Sequence, residues 1–258
     1  MKRICMVIFA SIVLLLSCKE KEDNMTNDRQ RAVYMGMESM TSEQRQAYSE
    51  LVTSFYDLKA SYDYKPEGFS ASLFDDIKNK FGNTYYQNFK DIIYSIFKGD
   101  VASIDHLKKI VVDSIETKEE YMSASNGRSL LYRLNELGNI LFLFVTDGSV
   151  FGEEGLIKIK NNQDIEGFRE VKFILDDIHA KWDELVILLQ STINNVAESA
   201  SRYIATKNIS DKEEMIRKLE PITELKSLDS IRLCMGAICK LKAELINLHS
   251  KIKRKSVE

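Results

Sequence analysis

The chain has 258 residues and a formal net charge of −3, with only two prolines and eleven glycines. An evenly mixed, mildly acidic composition gives no concentrated basic footprint, which excludes nucleic acid as an expected partner. Proline and glycine both interrupt helices, so their scarcity points to an all-α protein, and the length is ample for a buried core.

The first element is a leader. Lys2 and Arg3 precede an apolar run from Ile4 to Leu16, which ends in Leu15-Leu16-Ser17-Cys18 and an abrupt switch to charge at Lys19–Asn24. As a helix the run covers roughly 20 Å against about 30 Å of hydrocarbon, so it is too short to span. A positive n-region, a short h-region and a small residue before cysteine form the pattern of a bacterial lipoprotein signal. Cys18 is then the lipid-attachment residue and the mature N-terminus. Removing residues 1–17 takes away Lys2 and Arg3 and moves the net charge from −3 to −5.

Residues 19–41 are polar without a sustained period and read as a flexible tether. Thr41-Ser-Glu-Gln44 has capping-box spacing, and Tyr48, Leu51, Val52, Phe55 and Leu58 follow at helical intervals to about Tyr62. Pro66 and Gly68 lie beyond that stop. Ser70 can cap a short helix with Leu73, Phe74, Ile77 and Phe81, ended by Gly82-Asn83. A third helix holds Phe89, Ile92, Ile93, Ile96 and Phe97 and ends at Gly99. Asp100 or Ser103 opens a fourth, with Ile104, Leu107, Ile110, Val111 and Ile115 on one stripe. The fifth carries Leu130, Leu131, Leu134, Leu137, Ile140, Leu141 and Phe144, a density that predicts burial on more than one side.

The helical period fails over 146–164, where Gly148, Gly152 and Gly155 stand among apolar pairs. A small hairpin is weakly signalled there, and the segment reads as a connection capping the bundle or as an exposed contact loop. From Asp164 the period returns with Phe168, Val171, Leu175, Ile178, Trp182, Leu185, Val186, Leu189, Ile193 and Val196, a helix of roughly 55–60 Å. Ser210-Asp-Lys-Glu213 is a second capping box, and Pro221 should stop or kink its helix. The last helix is expected over about 223–253, ending in the basic Lys251–Lys255. The chain thus divides into a signal peptide (1–17), a lipidated flexible tether (18–41) and a single all-α helical domain (42–258). Its architecture is an irregular multi-helix bundle with long C-terminal helices.

Catalytic, cofactor-binding and metal-ligating motifs are not recognisable, so the expectation is a protein that is not an enzyme. His106, His179 and His249 stand far apart in sequence, without the spacing of a metal site. Paired acids (Asp75-Asp76, Glu119-Glu120, Glu153-Glu154, Asp176-Asp177) read as solvated helix faces. The Gly-rich segment lacks the Gly-Lys-Ser/Thr of a phosphate loop. Trp182 falls on the apolar stripe and reads as core. Cys234 and Cys239 lie five apart on the expected last helix; five residues turn about 500°, so their side chains diverge by about 140° and a bridge between them requires breaking the helix. They read as small hydrophobes, with an intermolecular disulfide as the minority reading.

The order of Phe89–Phe97, Ile104–Val112, Leu130–Leu134 and Leu137–Val145 resembles the plasmid-encoded paralogous family of Borrelia outer-surface lipoproteins that includes the complement-regulator-acquiring surface protein A. The lipobox, polar tether, Lys/Asn/Ile-rich body and scarcity of proline resemble that family too, over about residues 70–253; the Gly-rich 146–164 segment departs from it. The resemblance implies an all-α body, lipid-anchored in the outer membrane and displayed at the cell surface. It also implies a host serum or complement protein as partner, since members bind complement regulators, terminal complement components and plasminogen. A homodimer through the last helix, as occurs in that family, is permitted by the apolar stripe there. The expected function is a surface lipoprotein that binds host proteins for immune evasion. The alternative is a structural or accessory envelope lipoprotein facing the periplasm. The last helix with its basic end and the 146–164 segment are the candidate contact surfaces.

Overall fold

A computed structural model describes residues 28–64, 75–77, 89–113, 125–162, 164–223 and 236–255. All regular structure among them is helical. Cys18, the leader, the start of the tether, Ser70, Phe81, Gly82, Glu119, Glu120 and Cys234 lie outside the described residues, as do Leu225, Leu228, Ile231 and Met235.

The helices are α1 (28–34), α2 (Ser42–Asp63), α3 (Phe89–Phe97), α4 (Val101–Lys108), α5 (Ser125–Val145), α6 (Gly152–Asn162), α7 (Ile165–Thr206), α8 (Ile209–Thr223) and α9 (Ala237–Lys255). A 3-10 turn, Met37–Ser39, precedes α2, and a π turn, Lys109–Asp113, prolongs α4. The 42 residues of α7 make it the axis, about 63 Å long at 1.5 Å per residue. Parallel to it runs α2, with Tyr48 against Phe168 (ring centroids 5.3 Å) and Ser61 Oγ 3.0 Å from His179 Nε2. Antiparallel to it run α8, tied by Arg202 to Asp211 at 2.9 Å, and α9, tied by Lys181 to Glu244 at 2.6 Å and Lys255 to Glu170 at 2.6 Å.

Local chemistry explains the helix starts. Thr41 Oγ1 accepts from Gln44 N–H at 3.2 Å, and Gln44 Oε1 accepts from Thr41 N–H at 2.9 Å, a complete capping box. Asp100 accepts from the amides of Ala102 and Ser103, and Asp164 from those of Glu166 and Gly167. The core is one continuous cluster from Val33 to Ile252, with Trp182 completely buried on α7. Helix α5 is buried on several sides: Leu130, Leu131, Leu134, Leu137, Leu141 and Phe144 are all inaccessible or nearly so. On its α3-facing side Gly138 allows close approach, since a Cβ there would press on the Ile92 Cγ2 methyl and lie 3.0 Å from Ile96 Cδ1.

Four expectations are corrected. The C-terminal part of the supposed tether is folded: Val33 is 0% and Met40 5% exposed, both within the core. Among the described residues of 146–164 there is no hairpin but a turn and helix α6. Gly148 (φ 74°) and Gly152 (φ 60°) take left-handed backbone in that turn, and a Cβ on Gly152 would sit 2.8 Å from the Asp147 backbone. The α8 cap stands at Asn208, not Ser210: Asn208 Oδ1 accepts from Ser210 N–H at 3.0 Å, and Pro221 falls within the last turn described, which ends at Thr223. The last helix is not continuous from 223: Gly236 is a bend and α9 begins at Ala237.

Candidate functional site

The basic end of α9 forms one wall of a groove whose other wall is the first turns of α7. It encloses about 590 Å³ and is lined by Glu166, Arg169, Glu170, Phe173 and Ile174 from α7 and by Lys251, Arg254 and Lys255 from α9. Helical spacing builds it. Phe168, Val171 and Leu175 turn into the core, which leaves Phe173, five residues after Phe168, about 140° away on the outer face. Phe173 is 72% exposed, an uncommon state for so large an apolar side chain. Lys255 pairs with Glu170 at 2.6 Å and Arg169 with Glu43 at 3.1 Å, while Arg254 Nε donates to the Ser250 carbonyl at 3.3 Å. The basic tail of α9 belongs to this groove, as its sequence allowed. Arg169 and Phe173 were missed, and the only sequence signal was the position of Phe173 off the apolar stripe.

The 146–164 segment serves another purpose: it clasps residues 28–40. Lys160, only 8% exposed, donates through Nζ to the carbonyls of Ala32 (2.6 Å) and Met35 (2.8 Å), at the C-terminal end of α1 where carbonyls lack intrahelical partners. A cation is well placed there against the helix dipole. Arg29 pairs with Asp147 at 2.8 Å, and the second carboxylate oxygen of Asp147 caps α6 by accepting from Glu154 N–H at 3.0 Å. Tyr48 lies beneath, its hydroxyl donating to the Val33 carbonyl at 3.0 Å, and burial raises its pKa above the phenol range. Glu153, 3% exposed, accepts from Lys59 at 2.9 Å. The segment thus connects and caps the bundle by docking residues 28–40, while Gly148, Ser149, Glu154 and Lys158 stay exposed on its outer side.

The remaining candidates disperse. His106 contacts Asn194 through Nδ1 at 2.8 Å, His179 contacts Ser61, and the ring of His249 packs edge-on against Phe144 with centroids 5.6 Å apart. The three do not converge, and among the described residues no three metal-ligating side chains gather. The described paired acids take part in ion pairs: Asp76 with Lys108, Glu153 with Lys59, Asp176 with Lys172 and Asp177 with Lys181. Trp182 is core, as its position on the stripe predicts. Cys239 is not a free thiol but disulfide-bonded, with its partner outside the described residues. Positions 234 and 239 do not share one unbroken helix, since Gly236 is a bend and α9 begins at Ala237.

At the opposite end of α7, Arg202 gathers Glu198 (3.0 Å), Asp211 (2.9 Å) and Glu214 (2.5 Å), locking α8 onto α7. Lys218 and Arg202 together hold the Glu214 carboxyl down to about 2. Exposed Ile209 (70%) sits beside this cluster at the start of α8.

Among the described residues no helix is long and apolar enough to cross a membrane. No protein-family model matches the chain, and neither a curated protein nor a solved structure does.

Proposed function

We propose that this chain is a lipid-anchored binding protein, displayed at the cell surface, which acts by occupying a host protein such as a complement regulator or component. The observation that carries the reading is the Leu15-Leu16-Ser17-Cys18 sequence after a short apolar run, followed by polar chain leading to a helical body. The geometry supports it. Residue 28, ten residues after Cys18 and so at most about 35 Å from it, opens α1 beside Asp147, and α1 leads towards the start of α7, where Val33 lies at Tyr48 and Tyr48 against Phe168. The far end, with Arg202, Lys207 and Ile209, stands about 60 Å further along the α7 axis. A rigid rod fastened at one end presents the other end to partners, and a standard interface needs only about 800 Å² per side. The resemblance to outer-surface lipoproteins of Borrelia favours a host ligand over one from the same cell.

The test is capture from human serum on immobilised protein beginning at residue 19, so that the docked segment 28–40 is retained, with mass spectrometry of the bound fraction. Specific retention of a complement regulator or terminal component is the expected result. Clean failure by folded protein, with helicity verified by circular dichroism, contradicts the complement reading and favours an accessory role in the envelope.

A further inference from the structure

The groove between α7 and α9 lies at the end of the bundle towards which the docked segment 28–40 runs. Its Arg169 pairs with Glu43, two residues after the Thr41 cap of α2, and Thr41 directly follows the docked segment 28–40. Of its lining residues, Arg169, Lys251, Arg254 and Lys255 are cations against Glu166 and Glu170. With Glu43, the partner of Arg169, counted too, four cations stand against three carboxylates, a positive balance in a chain whose formal net charge is −3, and it centres on Lys251 and Arg254. Lys251 and Arg254 are exposed on the last two turns of α9, and exposed Phe173 is among the lining residues of the α7 wall. Cations surrounding a solvent-facing aromatic are the composition that seats a protein surface in a headgroup layer, where basic side chains meet lipid phosphates and an apolar ring enters the acyl boundary.

We propose that this groove is the face the body presents to its own bilayer, with Lys251, Arg254 and Arg169 against anionic phospholipid headgroups and Phe173 in the interfacial layer. The inference rests on lipid attachment at Cys18, because the span of at most about 35 Å from Cys18 to residue 28 is what keeps this end beside the membrane. A basic patch beside a lipid anchor adds headgroup contacts to it, so the groove supplements the anchor by fixing the orientation of the body on the bilayer.

The test uses purified protein beginning at residue 19, which keeps the whole core from Val33 to Ile252 and carries no acyl chain. It is sedimented with vesicles of phosphatidylcholine containing 30 mol% (about one lipid in three) phosphatidylglycerol, and with vesicles of phosphatidylcholine alone, at low and high salt. The expected result is binding to the anionic vesicles only, weakened by salt. Since each basic residue near an anionic surface contributes about a fivefold factor, the double variant Lys251→Glu/Arg254→Glu should bind at least about 25-fold more weakly. Phe173→Ser should also weaken binding without altering its salt dependence. Equal sedimentation with both vesicle types, no sedimentation with either, or a charge-reversed variant that is folded and binds like the parent would each overturn the proposal. With no acyl chain present, the assay reports on the groove alone. Failure of the anchor reading shows separately, as Cys18→Ala protein that stays in the membrane fraction of cells.

Discussion

Lys160 on α6 reaches the carbonyl of Ala32, 2.6 Å from its Nζ, and so joins two parts of the chain separated by 128 positions. This contact turns what reads in sequence as loose tether into the first helix of the body. Replacing Lys160 with Met keeps the packing of its aliphatic stem but strands the carbonyls at the end of α1. The expected loss is about 1.5–3 kcal/mol, the range for hydrogen bonds to a charged group, accompanied by faster proteolysis within residues 28–40. Urea unfolding and timed limited proteolysis check both. Unchanged cleavage there would mean that segment 28–40 is held by the burial of Val33 and Met40 and the Arg29–Asp147 pair without the Lys160 hydrogen bonds.

Lys242 on α9 is 1% exposed and pairs with Glu136 of α5 at 2.5 Å, with Arg133 also on that carboxylate. Burial raises the pKa of Glu136, but the hydrogen bonds from Lys242 and Arg133 outweigh it and the net shift is downward. Glu136→Ala leaves a buried ammonium without its main counter-charge and should cost about 3–5 kcal/mol. The double variant Lys242→Met/Glu136→Leu should recover most of that loss, because an apolar pair of similar volume avoids the desolvation of both charges. Thermal and urea melts of the cycle decide; additive losses would contradict the coupling.

Gly138→Ala sets two effects against each other. Alanine gains up to about 1 kcal/mol of helix propensity, while its methyl presses into Ile92 and Ile96 at the α3–α5 contact. Overpacking of this kind costs about 1–3 kcal/mol, so the net outcome is destabilisation, measured by urea titration. A stabilised variant would show that α3 can move away from α5 freely.

Burial lowers the pKa of His249 from its ordinary 6.5, with Lys253 adding to the shift. The folded chain therefore binds fewer protons than the unfolded chain just below that value. The contribution to stability is complete above pH 6.5 and is lost as the pH falls through the depressed value. Thermal melts across that window should show the decline, and His249→Gln should flatten it. Retention of the slope in the variant would assign it to carboxylates instead.

Much of the fold was legible because its signals are local. Thr41 and Gln44, Asp100 and Asp164 are caps set by residues two or three apart, and the stripe from Phe168 to Val196 announces α7 through its spacing alone. What escaped depends on contacts between distant positions. Val33 gives no sign in sequence that Tyr48, Leu156 and Lys160 await it. Gly152 and Gly155 read as helix breakers, although Gly152 supplies the left-handed turn before α6 and Gly155 clears the Phe151 ring. Asn208 outcompeted Ser210 as a cap because both are good N-cap residues and only the turn from Lys207 selects between them. The groove was half legible: the cations of α9 were visible as a run, but Arg169 and Phe173 join them only through the antiparallel packing of α7 and α9.

The most direct test of the central claim is proteinase treatment of intact cells expressing the full chain, read beside membrane fractionation of the parent and of Cys18→Ala. The parent is expected to be membrane-bound and shaved from intact cells, and Cys18→Ala to leave the membrane fraction. A parent protected until the envelope is broken, or a Cys18→Ala chain that remains membrane-bound, would contradict a lipid-anchored body displayed at the surface.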